Sequence, residues 1–268
     1  NTLDYELYRD MQQKIIDVLD TAEYVEITGK GENQTNMQVQ LAAISNPEKQ
    51  TKFENCVADV NIPLGEVFTS PKLAGTNGIL NVGTVYIGDI QYRNLRMEFK
   101  DGRVVSAVCD NFVENGVIDQ EAGHRLIVQG IMNGHETLPL GEFAIGTNTT
   151  AYAMAEKFGI LDRLPILIVE KMGPHFAVGD TCYSWSEDSP MYNPDGKEMI
   201  ARDNEVSILR KEDVSKAYFG VHTDITIPYK ELERISAVHT DGTKTDIILD
   251  GRFVLAELDE LNRPLDEK

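Results

Sequence analysis

Two residues with metal-binding chemistry, His222 and Asp224, lie two positions apart within the segment 218–228. If this segment is a strand, its successive side chains point to opposite faces, so the imidazole and the carboxylate share one face. They would lie about 7 Å apart along the chain, close enough to bind one metal centre. Thr226 would share that face. The opposite face would be apolar and would pack against the core through Phe219, Val221, Ile225 and Ile227.

Three further segments present an acidic residue or a histidine in a similar setting. Glu66 and Glu142 each follow a glycine in an extended run, and His175 lies in a strand-like segment. Small neighbours leave room for a metal, a substrate or another backbone segment to approach. The repetition favours a shared site over a strand with ordinary polar side chains facing solvent. The small residues on the same faces are Ala144 and Gly146 beside Glu142, and Ala177 and Gly179 beside His175.

Together these segments supply two glutamates, two histidines and one aspartate as candidate metal ligands. Imidazole and carboxylate ligands without thiolate suit zinc, cobalt or manganese in a hydrolytic site. A mononuclear catalytic zinc uses three protein ligands, so five indicate two ions with a bridging carboxylate, about 3.5–4 Å apart. Simpler roles stay open: Glu66 and Glu142 as charges in glycine turns, and His175 as a hydrogen-bonded loop histidine.

Four motifs in a fixed order resemble the thermophilic aminopeptidase family, peptidase family M29, which contains the aminopeptidase T and aminopeptidase S enzymes. They are Pro-x-Gly-Glu-Val-Phe-Thr, Leu-Gly-Glu-Phe-Ala-Ile-Gly-x-Asn, Glu-Lys-Met-Gly-x-His-Phe-Ala-x-Gly and His-x-Asp. The likeness covers about residues 20–256, and the motifs are specific only in combination. The resemblance implies a bimetallic, dimeric, cytoplasmic enzyme that removes N-terminal residues from peptides. It places the metal ligands at Glu66, Glu142, His175, His222 and Asp224, with Glu142 as the bridge.

The chain differs from the family pattern in three respects. We expect one catalytic domain over residues 1–268, without the family's upstream domain. The family tyrosine that follows the His-x-Ala-x-Gly motif aligns near Cys182, whereas the tyrosine of this chain is Tyr183. The segment 184–219 is also longer than the family pattern predicts. These differences indicate a divergent subgroup.

The mechanism that the resemblance implies is metal-assisted hydrolysis, with a carboxylate outside the ligand set as general base. Glu170 is the candidate base, and its alternative role is an ion pair with Lys171 or another surface cation. Tyr183 could donate a hydrogen bond to the tetrahedral oxyanion, although core packing is its simpler role. We expect Cys182 to be a small buried residue, since no motif activates its thiol.

Two other classes of function stay open. A degenerate family member could keep the fold and a metal but act as a binding or scaffold protein. Another dimetal hydrolase, such as a phosphoesterase, is a third possibility, although the acidic charge disfavours an anionic substrate. The five candidate ligands favour the enzyme, because a binding module has no physical need for surplus carboxylates on one face.

The composition limits the classes of binding partner and the cellular compartment that we expect for this protein. The chain has 268 residues, 44 of them acidic and 25 basic, giving a formal net charge of -19. Such a field repels nucleic acid and anionic membrane surfaces, so neither is an expected partner. Three scattered cysteines without a CxxC pair suit a reducing compartment, and no apolar run approaches the length of a membrane span. We therefore expect a cytoplasmic protein, and the family resemblance implies that it acts on peptides as a homodimer.

The hydrophobic pattern predicts an α+β fold, rich in strands with interspersed helices. Helices are predicted over 3–19, 119–133 and 150–158, the last with Thr149 or Thr150 as its cap. The segment 184–216 is predicted to be an irregular segment near the site. Strands are predicted at 24–27 and 37–41, and hairpins turn at Asp101-Gly102 and Asp250-Gly251, where positive φ angles suit a type I′ turn.

Overall fold

The computed structural model of the chain describes residues 4–57 and 65–266, and it has the α+β fold that the sequence predicts. An eight-stranded antiparallel sheet forms one layer, in the order β17-β16-β15-β1-β2-β6-β7-β8. Its strands are β1 (Ala22–Gly29), β2 (Asn36–Gln40), β6 (Lys72–Ile87), β7 (Ile90–Lys100), β8 (Arg103–Val108), β15 (Leu232–His239), β16 (Lys244–Leu249) and β17 (Arg252–Phe253).

A second, five-stranded antiparallel sheet has the order β14-β12-β11-β5-β4. Two smaller pairs, β9 with β10 and β3 with β13, complete the strands of the described residues. The bounds are β3 (Gln50–Thr51), β4 (Glu54–Cys56), β5 (Glu66–Thr69), β9 (Val113–Glu114), β10 (Val117–Ile118), β11 (Leu140–Gly146), β12 (Pro174–Gly179), β13 (Glu198–Met199) and β14 (His222–Thr226).

Both predicted hairpins are confirmed. The two residues of each turn have positive φ angles, 45° and 65° at Asp101 and Gly102, and 51° and 69° at Asp250 and Gly251. This is the conformation that a type I′ turn requires, and aspartate and glycine tolerate it better than other residues. The turns join β7 to β8 and β16 to β17.

The three predicted helices are present, with one correction at a cap. The third begins after Asn148, whose side chain accepts a hydrogen bond from the backbone N–H of Ala151, so the cap is neither Thr149 nor Thr150. Asparagine reaches the exposed N–H groups as well as threonine does. None of the described helices is both long and apolar enough to cross a membrane. The helices are α1 (Tyr5–Leu19), α2 (Gln120–Gly130), α3 (Thr149–Lys157), α4 (Ile166–Val169) and α5 (Asp259–Asp266).

The strand that contains His222 is shorter than the sequence suggests. It begins at His222, because Gly220 takes a φ of 68° and turns the chain away from extended geometry. Its predicted apolar face is nonetheless buried, with Ile225 and Ile227 fully inaccessible. On the opposite face Asp224 and Thr226 are buried, whereas the His222 side chain is 31% exposed. The simpler interpretation of a strand with a solvent-exposed polar face therefore describes His222 but not Asp224 or Thr226.

One hydrophobic core joins the two sheets. Phe143, Phe176 and Ile225 come from adjacent strands of the smaller sheet, and all three are fully inaccessible to solvent. The rings of Phe143 and Phe176 lie 5.2 Å apart between centroids. The segment 184–216 has little regular structure, as predicted: it contains β13 and two short 3₁₀ turns.

We expect the Ile225→Ala variant to lose about 2–5 kcal/mol of unfolding free energy, because the truncation leaves a cavity under the smaller sheet. Denaturant unfolding followed by circular dichroism measures the change. Val105→Ala, at a strand position that is 56% exposed, is the matched control and should change stability by less than about 0.5 kcal/mol. Equal losses in the two variants would contradict the assignment of Ile225 to the core.

Candidate metal centre

Four neighbouring strands bring the five predicted ligands to one face of the smaller sheet. Glu66 lies on β5, Glu142 on β11, His175 on β12, and His222 with Asp224 on β14. The opposite face of the same strands packs into the main core through Phe143, Phe176 and Ile225. Alternation along each strand therefore separates the polar cluster from the apolar core.

Each of the five residues is paired across the sheet with alanine or glycine. Ala177 lies between Glu142 on one neighbouring strand and Asp224 on the other. Directly paired residues of an antiparallel sheet share a face, so a large side chain at Ala177 would occupy the space between the two carboxylates. The other pairs are His175 with Ala144, His222 with Gly179, and Glu66 with Gly146.

The ring of His175 lies at the centre of the cluster. Its Nε2 atom is 3.4 Å from Glu66 Oε2, 3.8 Å from Glu142 Oε1 and 4.0 Å from Asp224 Oδ1. His222 contacts the outer side of the same carboxylates, with Nε2 at 3.1 Å from Glu142 Oε2 and 3.7 Å from Asp224 Oδ1. The five side chains thus form one cluster, although they span some 160 residues of sequence.

Both histidines present Nε2 to the cluster because their other ring nitrogen is held by the backbone. His175 Nδ1 donates to the carbonyl oxygen of Gly173 at 3.1 Å, and His222 Nδ1 donates to that of Asp180 at 2.7 Å. Such a bond fixes the ring orientation and leaves Nε2 to bind a metal. Gly141 permits the second contact, since a Cβ atom there would lie 2.1 Å from the Asp180 carbonyl oxygen.

The carboxylate of Asp180 fixes the chain on the other side of His222. It accepts hydrogen bonds from the backbone N–H groups of Phe219 and Gly220, at 2.7 and 2.9 Å. Asp180 thus holds both the ring of His222 and the turn that leads into β14. No sequence motif identifies Asp180 as part of the site. The feature of the sequence that could have indicated its role is its position directly after Gly179, the glycine that ends β12.

Two overlapping groups of donor atoms share Glu142. The inner trio is Glu66, Glu142 and His175, and all three side chains are buried. The outer trio is Glu142, His222 and Cys182, in which Cys182 is exposed and the His222 side chain is 31% exposed. Within each trio the donor atoms lie within 4.8 Å of one another. A carboxylate common to two donor groups is the arrangement that a bridged pair of ions requires.

A buried lysine neutralises part of the negative charge. The ammonium of Lys171 contacts Glu66 Oε1 and lies 3.1 Å from Glu170 Oε1, and all three side chains are almost fully buried. Burial lowers the pKa of Lys171, but the charges of Glu66 and Glu170 outweigh it and raise that pKa above its ordinary value. The predicted pairing of Glu170 with Lys171 is thus present, although it is buried and not at the surface.

The remaining pKa shifts follow from burial and from the contacts within the cluster. Burial opposes ionisation of Glu142, but the two histidines hold its pKa well below the ordinary value. Burial disfavours the charged form of His222, yet Glu142 and Asp224 raise its pKa to about 10. For Asp224, burial and then the charge of Glu142 raise the pKa to about 8. Metal-free protein at neutral pH therefore keeps protons on His222 and Asp224.

A divalent cation fits the cluster because two buried carboxylate oxygens have no hydrogen-bond partner. These are Glu66 Oε2 and Asp224 Oδ1, each beside a histidine Nε2 atom. A buried carboxylate oxygen without a partner costs free energy that a bound cation would recover. Carboxylate oxygen and imidazole nitrogen are also the donors that zinc, cobalt and manganese accept.

The hydrogen bond of the Tyr183 hydroxyl is to Glu54, which is not one of the five predicted ligands. The hydroxyl donates to Glu54 Oε2, and the ring packs at 5.8 Å from that of Phe68. These contacts show the simpler of the two roles considered for Tyr183, which is core packing. The oxyanion role stays a prediction. Cys182 was expected to be buried. That expectation is wrong, because the residue is exposed, next to the partly exposed ring of His222.

The Ala177→Val variant should bind metal roughly 10–100-fold more weakly, because the added methyl groups separate Glu142 from Asp224. Isothermal titration of the metal-free protein with zinc or cobalt measures the affinity. Ala107→Val enlarges an equally buried alanine of the larger sheet and should leave the affinity unchanged. An unaltered affinity in Ala177→Val would contradict the importance of this small residue.

The affinity for divalent metal should rise as the pH is raised through 8. Metal binding requires unprotonated imidazole and ionised carboxylate, so it displaces the protons that His222 and Asp224 keep up to pKa values of about 10 and about 8. Each displaced proton increases the apparent affinity about tenfold per pH unit. Titrations in buffers of different ionisation enthalpy count the released protons. A pH-independent affinity with no proton release would contradict this linkage.

Comparisons with known proteins identify a family from the sequence and related folds from solved structures. The sequence profile of the thermophilic metalloprotease (M29) family matches residues 4–253. None of the curated proteins compared with the chain matches it. Wild-type AmpT from Thermus thermophilus is similar over 94% of this chain and 55% of its own, with 18% identity and a TM-score of 0.59. The chain is also similar to 2,5-dihydroxypyridine dioxygenase from Pseudomonas putida KT2440, over 94% of this chain and 61% of that one, with 13% identity and a TM-score of 0.50.

These solved structures share the fold, and the chain spans little more than half the length of each. The family profile covers almost all of the chain and includes the four strands that hold the cluster. The chain belongs to the thermophilic metalloprotease (M29) family.

Proposed function

We propose that the protein is an aminopeptidase that uses two divalent metal ions to remove N-terminal residues from peptides. The observation that carries this proposal is the pair of donor trios that share Glu142 on one face of a rigid sheet. Membership of a metalloprotease family and the fold likeness to AmpT support the same reaction class. The substrate would be a peptide with a free amino terminus.

The two trios contain four of the five predicted ligands, which they divide between two positions. Glu66 and His175 would hold the inner ion, His222 would hold the outer one, and Glu142 would bridge them. Asp224 lies within 4.0 Å of both histidine Nε2 atoms and could complete either position. Zinc, cobalt or manganese suits these donors. Bound ions of this kind lower the pKa of a water towards 7 and polarise the scissile carbonyl.

Glu170 is the proposed general base. Its carboxylate is buried next to the cluster, and one oxygen lies 3.1 Å from the Lys171 ammonium. The lysine would orient the carboxylate, which would take a proton from the attacking water and return it to the leaving amine. Tyr183 would have to break its hydrogen bond to Glu54 before its hydroxyl could donate to the oxyanion.

We also propose that the enzyme is a cytoplasmic homodimer. Three free cysteines and an acidic surface suit a reducing compartment. The segment 154–167 exposes Met154, Phe158 and Leu167, at 49%, 65% and 57%. Large apolar side chains exposed near one another are typical of a surface that a partner subunit covers.

The two histidines and Asp224 support a second candidate function. Two histidines and one carboxylate around a single ion are the ligand set of non-haem iron oxygenases. One solved structure of this fold is a dioxygenase. Metal analysis of protein purified without added ions separates the two candidates. Two zinc, cobalt or manganese ions per chain support the hydrolase, whereas a single iron supports the oxygenase.

The His222→Ala variant should lose metal-dependent peptide hydrolysis with little loss of stability, because the ring lies at the solvent edge of the cluster. Leucine release from a short peptide, with cobalt or zinc at limiting concentration, measures the activity. Glu170→Gln should keep the bound metal but reduce kcat by roughly 10²–10⁴, the usual contribution of a general base. Full activity of His222→Ala under limiting metal would refute the ligand assignment.

A further inference from the structure

Cys182 is part of the outer trio, although the ligand set inferred from the family motifs does not include it. Its Sγ atom lies 3.9 Å from His222 Nε2. Together with a carboxylate oxygen of Glu142, the three donor atoms lie within 4.8 Å of one another. The other two cysteines, Cys56 and Cys109, are buried, so Cys182 is the exposed one among the three.

A second observation points to a cation at this position. Asp224 Oδ1 is buried, has no hydrogen-bond partner and lies 3.7 Å from the same His222 Nε2 atom. The Asp224 side chain is 8% exposed, so water satisfies this oxygen poorly. His222 Nε2 therefore has two further donor atoms within 4 Å, the Cys182 sulfur at 3.9 Å and the unsatisfied Asp224 oxygen at 3.7 Å.

We propose that Cys182 binds the outer metal ion as a thiolate, together with Glu142, His222 and Asp224. This inference rests on the proposed function, since it assigns a fourth ligand to the outer of the two positions. Binding replaces the S–H bond by a metal–sulfur bond, and the thiol proton leaves to solvent. Four ligands of this kind satisfy the tetrahedral preference of zinc.

The thiolate makes the two positions chemically different. Oxygen and imidazole donors at the inner trio accept manganese, cobalt or zinc, whereas sulfur at the outer trio favours softer ions such as zinc or cobalt. The inner and outer ions should then exchange separately. Manganese should fill the inner position more readily than the outer one.

Cobalt absorption tests the sulfur ligand directly. Metal-free protein is titrated with cobalt under anaerobic conditions, and the near-ultraviolet sulfur-to-cobalt charge-transfer band is followed. Wild-type protein should develop the band, and Cys182→Ser should lose it while cobalt still binds, with an affinity at the outer position roughly 10–100-fold weaker. Cys109→Ala removes a buried cysteine of the larger core and should keep the band.

Thiol counting gives a second measurement that does not depend on a variant. In the metal-free protein one exposed thiol, Cys182, should react with a disulfide reagent before the two buried ones, and zinc should protect it. Absence of the band in wild-type protein that binds cobalt, or its survival in Cys182→Ser, would overturn the inference. If wild-type protein binds cobalt without the band and still hydrolyses peptides, the sulfur ligand is wrong and the proposed function stands. Failure to bind cobalt or zinc at all would overturn the proposed function as well.

Discussion

The cluster requires four buried carboxylates to lie close together: Glu66, Glu142 and Asp224 on one face of the smaller sheet, and Glu170 in the turn beside it. A buried, ionised carboxylate without compensation costs several kcal/mol, and neighbouring carboxylates oppose the ionisation of one another. The ammonium of Lys171 forms ion pairs with Glu66 and Glu170, and the imidazoles of His175 and His222 contact Glu142. The protein alone leaves Glu66 Oε2 and Asp224 Oδ1 without partners. Divalent cations would supply the missing charge, so the geometry that costs stability in the metal-free chain is the geometry proposed to bind metal.

The sheet makes this crowding possible through side-chain size. Ala144 and Ala177, together with glycines on the same strands, stand directly across from the polar residues and leave the space that the carboxylates and rings occupy. Phe143, Phe176 and Ile225 fill the reverse face of the same strands and fix their positions. A site built on paired strands keeps its donor atoms closely placed, because each strand is held by its neighbours and by the core.

Much of this arrangement could be predicted from the sequence, because it follows from local rules. Alternation along a strand placed Glu142 opposite Phe143 and His175 opposite Phe176, and Asp-Gly pairs marked two hairpins. Contacts between distant segments could not be predicted in the same way. The approach of Asp180 to His222 depends on the absence of a side chain at Gly141, and the exposure of Cys182 depends on how the chain leaves β12. Neither leaves a periodic signal, since both are set by the packing of separate strands.

Burial changes steadily across the cluster, and this gradient bears on what the site can do. His175 is 1% exposed at the inner end, the side chain of His222 is 31% exposed at the outer end, and Cys182 lies beyond it. A structural metal site is closed by its protein ligands, whereas a catalytic site leaves a position for water or substrate. If the proposed function is correct, a peptide would reach the ions at the open end next to His222. Lys171 and Glu170 lie at the buried end, away from bulk water. An arrangement that is closed on one side and open on the other suits hydrolysis better than a purely structural role for the metal.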